Sequence, residues 1–175
     1  PFHYKNRRYY KYAVTQLLDF RKVDTGSYKL SYDCYRIKEI ICKVSCIFEL
    51  SARQKKVAID TSSIPEELSI VIDEEAFTKI ISNLLTNAIK YSETYIRIRL
   101  YSEGERLLLS VCNDGLVIPV EMREEIFKPF IQYKTGTLRS VPGTGIGLAL
   151  ARSLAELHEG TLCMEDSMEN NCFLL

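Results

Sequence analysis

The sequence predicts an α+β protein in two layers, a mixed β-sheet with helices on one face, preceded by a separate helix. Three observations predict it. Strand-like and helix-like stretches interleave without the regular strand–helix alternation of a doubly wound parallel sheet. Residues 94–101 and 106–112 alternate in and out around Ser102-Glu103-Gly104-Glu105, the pattern of an antiparallel hairpin. Residues 74–91 form a helical pattern that opens on Asp73, an N-cap residue, with Glu74 and Glu75 in the first turn, where the helix dipole favours negative charge.

The elements follow in order. In residues 5–23, Tyr9, Ala13, Val14, Leu17, Leu18 and Phe20 recur at helical spacing and stop before the turn Asp24-Thr25-Gly26-Ser27. Residues 28–32 alternate like a strand, and residues 37–50 place Ile40, Ile41, Val44, Ile47 and Phe48 on one helical stripe. Residues 57–59 and 68–72 read as short strands on either side of a polar turn containing Pro65. Beyond Pro119 the pattern predicts a short helical piece, an irregular segment over 132–142, a helix over 146–158, and strands near 161–164 and 172–175. The first helix has no partner in the predicted layer, so it is expected to project and to pair with another subunit.

A chain of 175 residues is long enough for one domain with a real core. Its 46% hydrophobic and 26% charged residues are those of a globular protein and argue against large disordered arms. The formal net charge of +0 supplies no basic field to gather nucleic acid, and the apolar runs are far shorter than the roughly 20 residues a membrane helix needs. The start at Pro1, without an initiator Met, reads as a fragment of a longer chain. The cysteines at 34, 42, 46, 112, 163 and 172 form no zinc-like pair and are expected to be reduced core residues, in keeping with a cytoplasmic compartment.

Chemistry concentrates in three stretches. Gly143-Thr144-Gly145-Ile146-Gly147-Leu148 opens a predicted helix, and three glycines in five positions let backbone amides approach an anion beside a helix N-terminus. A plain glycine-rich loop has the same pattern, and neither the P-loop nor the dinucleotide-binding fingerprint is present. On the 74–91 helix, Asn83, Asn87 and Lys90 stand four and three residues apart on one face. Asparagine is a poor mid-helix residue, so two of them point either to a polar task or to buried structural amides. One amide oxygen plus phosphate oxygens and water suffices for Mg²⁺, with Lys90 meeting a phosphate alongside. The third stretch, Val111-Cys112-Asn113-Asp114-Gly115-Leu116-Val117-Ile118-Pro119, leaves a strand and turns sharply, placing polar side chains at the sheet edge where a base can be read.

Together these stretches resemble the Bergerat-fold ATP-binding domains shared by histidine kinases, gyrase, the Hsp90 chaperones and the MutL repair proteins. Residues 83–91 resemble the N-box, 113–119 the first glycine box, 125–130 (Glu-Ile-Phe-Lys-Pro-Phe) the phenylalanine box and 143–148 the second glycine box, in that order. The phenylalanine box points to the histidine kinases, and Leu17-Leu18-Asp19-Phe20-Arg21-Lys22 before Gly26 resembles the end of a dimerisation helix, especially in hybrid sensors. The resemblance implies a division into residues 1–27, the end of a dimerisation helix and linker, and 28–175, the ATP-binding catalytic domain.

It further implies that Asn87 ligates Mg²⁺, that Lys90 contacts phosphate, that Tyr91 packs on adenine, and that Gly143, Thr144, Gly145, Gly147 and Leu148 belong to the phosphate loop. Asn83 occupies the other N-box amide position. ATP-hydrolysing relatives carry there a glutamate that activates water, and an amide cannot take that proton, which favours phosphoryl transfer over hydrolysis. The family reads adenine with an aspartate. Here Asn113 stands in that place, its amide oxygen able to accept from the adenine amino group with Asp114 next door to compensate; Gly115 follows and Val117 replaces a second glycine, so weaker adenine binding is expected. Residues 132–142 would be a lid, with Lys134 or Arg139 either reaching phosphate or simply solvated.

The implied activity is that of a protein-histidine kinase, a transferase using ATP and Mg²⁺. Its phosphoryl acceptor would be a histidine in the dimerisation domain of a homodimeric parent, and a response regulator or receiver domain would lie downstream. No nucleic-acid partner is expected, and the domain would be cytoplasmic in a parent anchored in the inner membrane. His3 and His158 lack an acceptor context, and His158 is expected to pack or to meet a helix C-terminus. A degenerate nucleotide-binding module that signals by conformation, and a chaperone- or repair-type ATPase, are the competing readings.

Overall fold

Alternating apolar residues on neighbouring strands commit one face of a sheet to burial, and the helices that cover it decide where the loops meet. In the computed structural model, which describes residues 2–132, 143–167 and 169–175, that face belongs to a five-stranded sheet in the order β2-β4-β5-β7-β6. The elements are α1 (Phe2–Asp24), β1 (Asp33–Arg36), α2 (Ile37–Gln54), β2 (Ala58–Ser63), β3 (Ser69–Ile72), α3 (Glu74–Tyr91), β4 (Tyr95–Glu103), β5 (Arg106–Asn113), two short 3₁₀ turns (Val120–Met122 and Glu125–Phe127), α4 (Gly147–Leu157), β6 (Cys163–Met164) and β7 (Asn171–Leu174). β2 pairs parallel with β4, and the other pairs are antiparallel, so the sheet is mixed as expected.

Ile96, Ile98 and Leu100 on β4, Leu109 and Val111 on β5 and Phe173 on β7 are buried against Ile81, Leu84, Leu85 and Ala88 of α3 and Leu150 and Leu154 of α4. Each such aliphatic side chain contributes about 1.5–3 kcal/mol on burial. Asp73 caps α3 as predicted, its Oδ1 accepting from the Ala76 amide at 2.7 Å. The hairpin turns at Gly104, whose φ of +59° is the left-handed conformation glycine favours.

Residues 28–32 are not a strand. Tyr28 and Leu30 pack on the core, which explains their alternation, but the Ser31 amide donates to Asp73 Oδ2 at 2.7 Å and pairs with no strand. Strand structure starts at Asp33, where β1 and β3 form a separate two-stranded antiparallel sheet.

Nor does α1 project. Phe20 and Val23 pack against the core, Gln16 and Asp19 are buried, and Asp19 Oδ2 lies 3.0 Å from Lys79 Nζ on α3. Burial draws the Lys79 pKa down, but the Glu75 and Asp19 carboxylates outweigh it and hold the ammonium above its ordinary value. The face of α1 carrying Val14, Leu17 and Leu18 remains exposed.

The cysteines also depart from expectation. Cys112 and Cys172, directly opposite on β5 and β7, form a disulfide, while Cys34, Cys42 and Cys46 are exposed and Cys163 is half-buried. Strand register brings the bridged pair together across 60 residues of sequence.

Candidate functional site

The site lies where the start of α4, one face of α3 and the end of β5 converge. α4 opens on Ile146, which offers no side-chain cap; its own amide donates to Thr144 Oγ1 at 3.3 Å, and among the described residues no side chain accepts from the amides of the turn that follows. Gly145 has φ +70°, and a Cβ there would lie 2.8 Å from the Phe130 backbone. Its carbonyl accepts from the Phe130 amide at 2.8 Å, so the glycine loop rests on the phenylalanine box. That box is fixed in turn by Arg152, whose guanidinium lies 4.0 Å from the centre of the Phe127 ring and pairs with Glu124.

Lys90 Nζ reaches the loop at Gly143, 3.1 Å from where a Cβ would be, and lies 4.8 Å from the centre of the half-exposed Tyr91 ring. Among the described residues it makes no ion pair, and the Asn87 side chain, one turn earlier and half-buried, makes no hydrogen bond. Among the described residues, a cation without a carboxylate partner and an amide without a hydrogen bond, beside the start of α4, suit phosphate oxygens and a hard metal ion.

Asn83 faces α1 and is 5% exposed. Its Oδ1 accepts from Tyr12 Oη at 3.1 Å and from Gln16 Nε2. Gln16 Oε1 accepts from Thr144 Oγ1 at 3.1 Å, and a Cβ on Gly147 would lie 3.2 Å from Asn83 Oδ1. One buried glutamine thus joins α1 to the N-box and to the second glycine box. Leu148 is half-buried and packs on the core.

At the end of β5, Asn113 is 1% exposed and Gly115 is pressed against the carbonyl of Tyr91. Asp114 turns toward the start of β4. Its carboxylate accepts from the amides of Glu93, Thr94 and Tyr95 and from the Thr94 hydroxyl, clamping the entry to β4. The carboxylate expected to compensate beside Asn113 is thus engaged at the entry to β4. Burial pushes the Asp114 pKa up, but the Thr94, Tyr95 and Glu93 hydrogen bonds prevail and hold it at about 2.

A lowered pKa in the folded state gives stability that is present above the unfolded value of 3.8 and is lost as pH falls through about 2. Asp114→Asn is accordingly expected to lower the urea midpoint at pH 7, with the difference from the native chain shrinking between about pH 4 and pH 2. An equal difference at every pH would contradict the clamp.

Asn171, which the sequence pattern did not single out, shapes the same turn. Its Nδ2 donates to the Leu116 carbonyl at 2.9 Å, and its Oδ1 accepts from the Ile118 amide at 2.8 Å. His158 packs as expected, with Nδ1 against the Leu154 carbonyl at 2.8 Å and Nε2 accepting from the Asp73 amide at 3.3 Å. Lys134, Arg139 and residues 133–142 of the expected lid lie outside the described residues, as does the His3 side chain.

The chain belongs to the family of histidine kinase-, DNA gyrase B- and HSP90-like ATPases, whose model matches residues 72–173. Among curated relatives it is 33% identical over 157 residues to the sensor histidine kinase TmoS of Ectopseudomonas mendocina, covering 88% of this chain and 16% of TmoS. It is 31% identical over 157 residues to an uncharacterized sensor-like histidine kinase of Rhizobium meliloti, covering 89% of this chain and 30% of that protein. The chain therefore spans less than a third of the length of these relatives. Among solved structures, the catalytic domain of the histidine kinase ThkA superposes with a TM-score of 0.69 at 27% identity, over 83% of this chain and 95% of that domain.

Proposed function

We propose that this chain is the ATP-binding catalytic domain of a two-component sensor histidine kinase, transferring the γ-phosphoryl group of ATP to a histidine of the parent's dimerisation domain. The observation that carries the reading is the Lys90 ammonium held against Gly143 without a carboxylate partner among the described residues, beside the unbonded Asn87 amide and the uncapped start of α4. Phosphoryl transfer requires chiefly positioning and charge stabilisation, and these groups supply both. Lys90 and the α4 amides would hold phosphate oxygens, and Tyr91, half-exposed beside Lys90, would pack on the base. Asn87 would hold Mg²⁺, which when bound neutralises charge between phosphate oxygens.

Transfer is favoured over hydrolysis because the position four residues before Asn87 is an amide. Asn83 cannot accept a proton from water, and its oxygen already accepts from Tyr12 and Gln16. Both His158 nitrogens are engaged, which leaves that ring unsuited as the phosphoryl acceptor. Residues 1–27 would be the end of the dimerisation helix of a homodimer, a response regulator or receiver domain the downstream partner, and the cytoplasm of a membrane-anchored parent the location. Among the described residues no helix is long and apolar enough to cross a membrane.

Thermal unfolding with ADP or ATP and Mg²⁺ tests the reading. Ligand at 100 times its dissociation constant adds about 2.7 kcal/mol, a rise of roughly 5–11 °C for a domain of this size. Asn87→Ala is expected to remove the magnesium-dependent part of the rise. No shift with millimolar nucleotide would refute the nucleotide site, and binding without phosphoryl transfer to the parent's dimerisation domain would leave a module that signals by conformation.

A further inference from the structure

The base end of the site contains a side chain whose hydrogen bonding is incomplete. Asn113 is 1% exposed, and among the described residues its Nδ2 has no hydrogen-bond partner. A buried amide donor without an acceptor is rare because it has lost water and gained nothing in return. The other two such atoms among the described residues are the hydroxyls of Ser45 and Ser92, which rotate freely, whereas an amide presents two fixed donors.

The surroundings define what the donor can meet. Nδ2 lies 2.9 Å from where a Cβ on Gly115 would be, and Gly115 presses on the carbonyl of Tyr91. Lys90, the residue before Tyr91, reaches the phosphate loop at Gly143. The Asn113 amide therefore neighbours the end of α3, where Tyr91 directly follows the cation assigned to phosphate. The acid of this turn is turned away, since Asp114 is bonded to residues 93–95. The neighbouring Asn171 amide is committed to Leu116 and Ile118. What remains to face a base is a neutral amide able both to donate and to accept.

We infer that Asn113 makes the base site indifferent to the 6-position of a purine, so that guanine and hypoxanthine nucleotides are taken as well as adenine nucleotides. The inference rests on the nucleotide-site reading above. Adenine offers an amino donor at C6 beside an acceptor at N1, and a 6-oxopurine offers the reverse, an acceptor at C6 beside an N1–H donor. A carboxylate in this position accepts only, so it suits adenine and opposes the 6-oxo group with a like partner. A primary amide serves either edge. With Oδ1 toward the C6 amino group, Nδ2 donates to N1. Rotated by half a turn, Nδ2 donates to the 6-oxo group and Oδ1 accepts from N1–H. The isosteric swap of a carboxylate for an amide thus exchanges charge-assisted strength for tolerance.

Calorimetric titration of the chain with ADP, GDP and IDP in the presence of Mg²⁺, repeated with Asn113→Asp, tests this. The native chain is expected to bind the three within about tenfold of one another, because each edge finds both partners. Asn113→Asp is expected to tighten ADP and weaken GDP and IDP, opening the ratio to on the order of 100-fold. Native binding of ADP more than about 100-fold tighter than GDP and IDP would overturn the inference and leave the nucleotide site standing. An Asn113→Asp chain that keeps the native ratio would also overturn it. Should that variant fail to fold, the native series alone decides, and native binding of none of the three would overturn both readings.

Discussion

Gly115→Ala is expected to destabilise the chain more than any other single added methyl among the described glycines. A Cβ at Gly115 would lie 2.0 Å from the Tyr91 carbonyl oxygen, 2.7 Å from its carbon and 2.9 Å from Asn113 Nδ2. The first two atoms are backbone, and they belong to the last turn of a helix that is held from outside. Lys55 Nζ donates to the carbonyls of Ile89 and Lys90 at 2.9 and 2.8 Å, and the Ser92 amide closes on Ala88 at 2.7 Å. Relief therefore requires shifting the end of α3 or withdrawing the first glycine box.

Overpacking of this kind costs typically 1–3 kcal/mol and sometimes more. We expect about 3 kcal/mol, a fall in Tm of roughly 6–12 °C, together with loss of nucleotide binding because Lys90, Tyr91 and Asn113 move together. Gly26→Ala is the control. Gly26 has φ +66° with nothing within 4 Å of an added Cβ, so only the left-handed backbone term of roughly 1–2 kcal/mol applies. Equal urea midpoints for the two variants would show that Gly115 does not pack against α3 as described.

The parts of this site that were legible in the sequence are those whose signal is local. The N-cap of α3 is one side chain three residues before its amide, the hairpin is an alternation around one glycine, and the glycine boxes are short runs. What was illegible depends on register between distant segments. Asn171 became part of the site only because β7 pairs with β5, setting Asn171 opposite Asn113. The same register places Cys112 against Cys172. Asp114 looked like a reader of the base because it is polar and adjacent, yet three successive backbone amides captured it, a competition that spacing alone does not reveal. Residues 28–32 looked like a strand because alternation reports a buried face and not a hydrogen-bonded partner.

The first helix was misplaced for a related reason. Its exposed stripe of Val14, Leu17 and Leu18 is conspicuous in the sequence, but α1 docks through Phe20 and Val23 on the core together with the buried Gln16 and Asp19. Gln16 is 6% exposed and bridges Asn83 and Thr144, two residues that the four-motif pattern assigns to the nucleotide site. Gln16→Ala would leave Thr144 Oγ1 without its acceptor and Asn83 Oδ1 with Tyr12 alone. A buried polar group left unpaired costs about 1–3 kcal/mol, so a loss of about 2 kcal/mol in stability is expected, beyond any general loosening of α1.

A double-mutant cycle separates these contributions. If Gln16 acts through Asn83, then Gln16→Ala and Asn83→Ala combine with a coupling energy of about 1–2 kcal/mol, whereas two residues in unrelated contacts add within about 0.5 kcal/mol. Gln16→Ala with Lys79→Ala serves as the comparison, because Lys79 holds α1 through Asp19, whereas the Gln16 hydrogen bonds among the described residues go to Tyr12, Asn83 and Thr144. Coupling to Asn83 but not to Lys79, read from urea midpoints, would establish that the position of α1 is transmitted to the second glycine box through a single buried amide. Additivity in both cycles would mean that α1 is merely adjacent to the site, and that displacing it leaves Thr144 and Gly147 where they are.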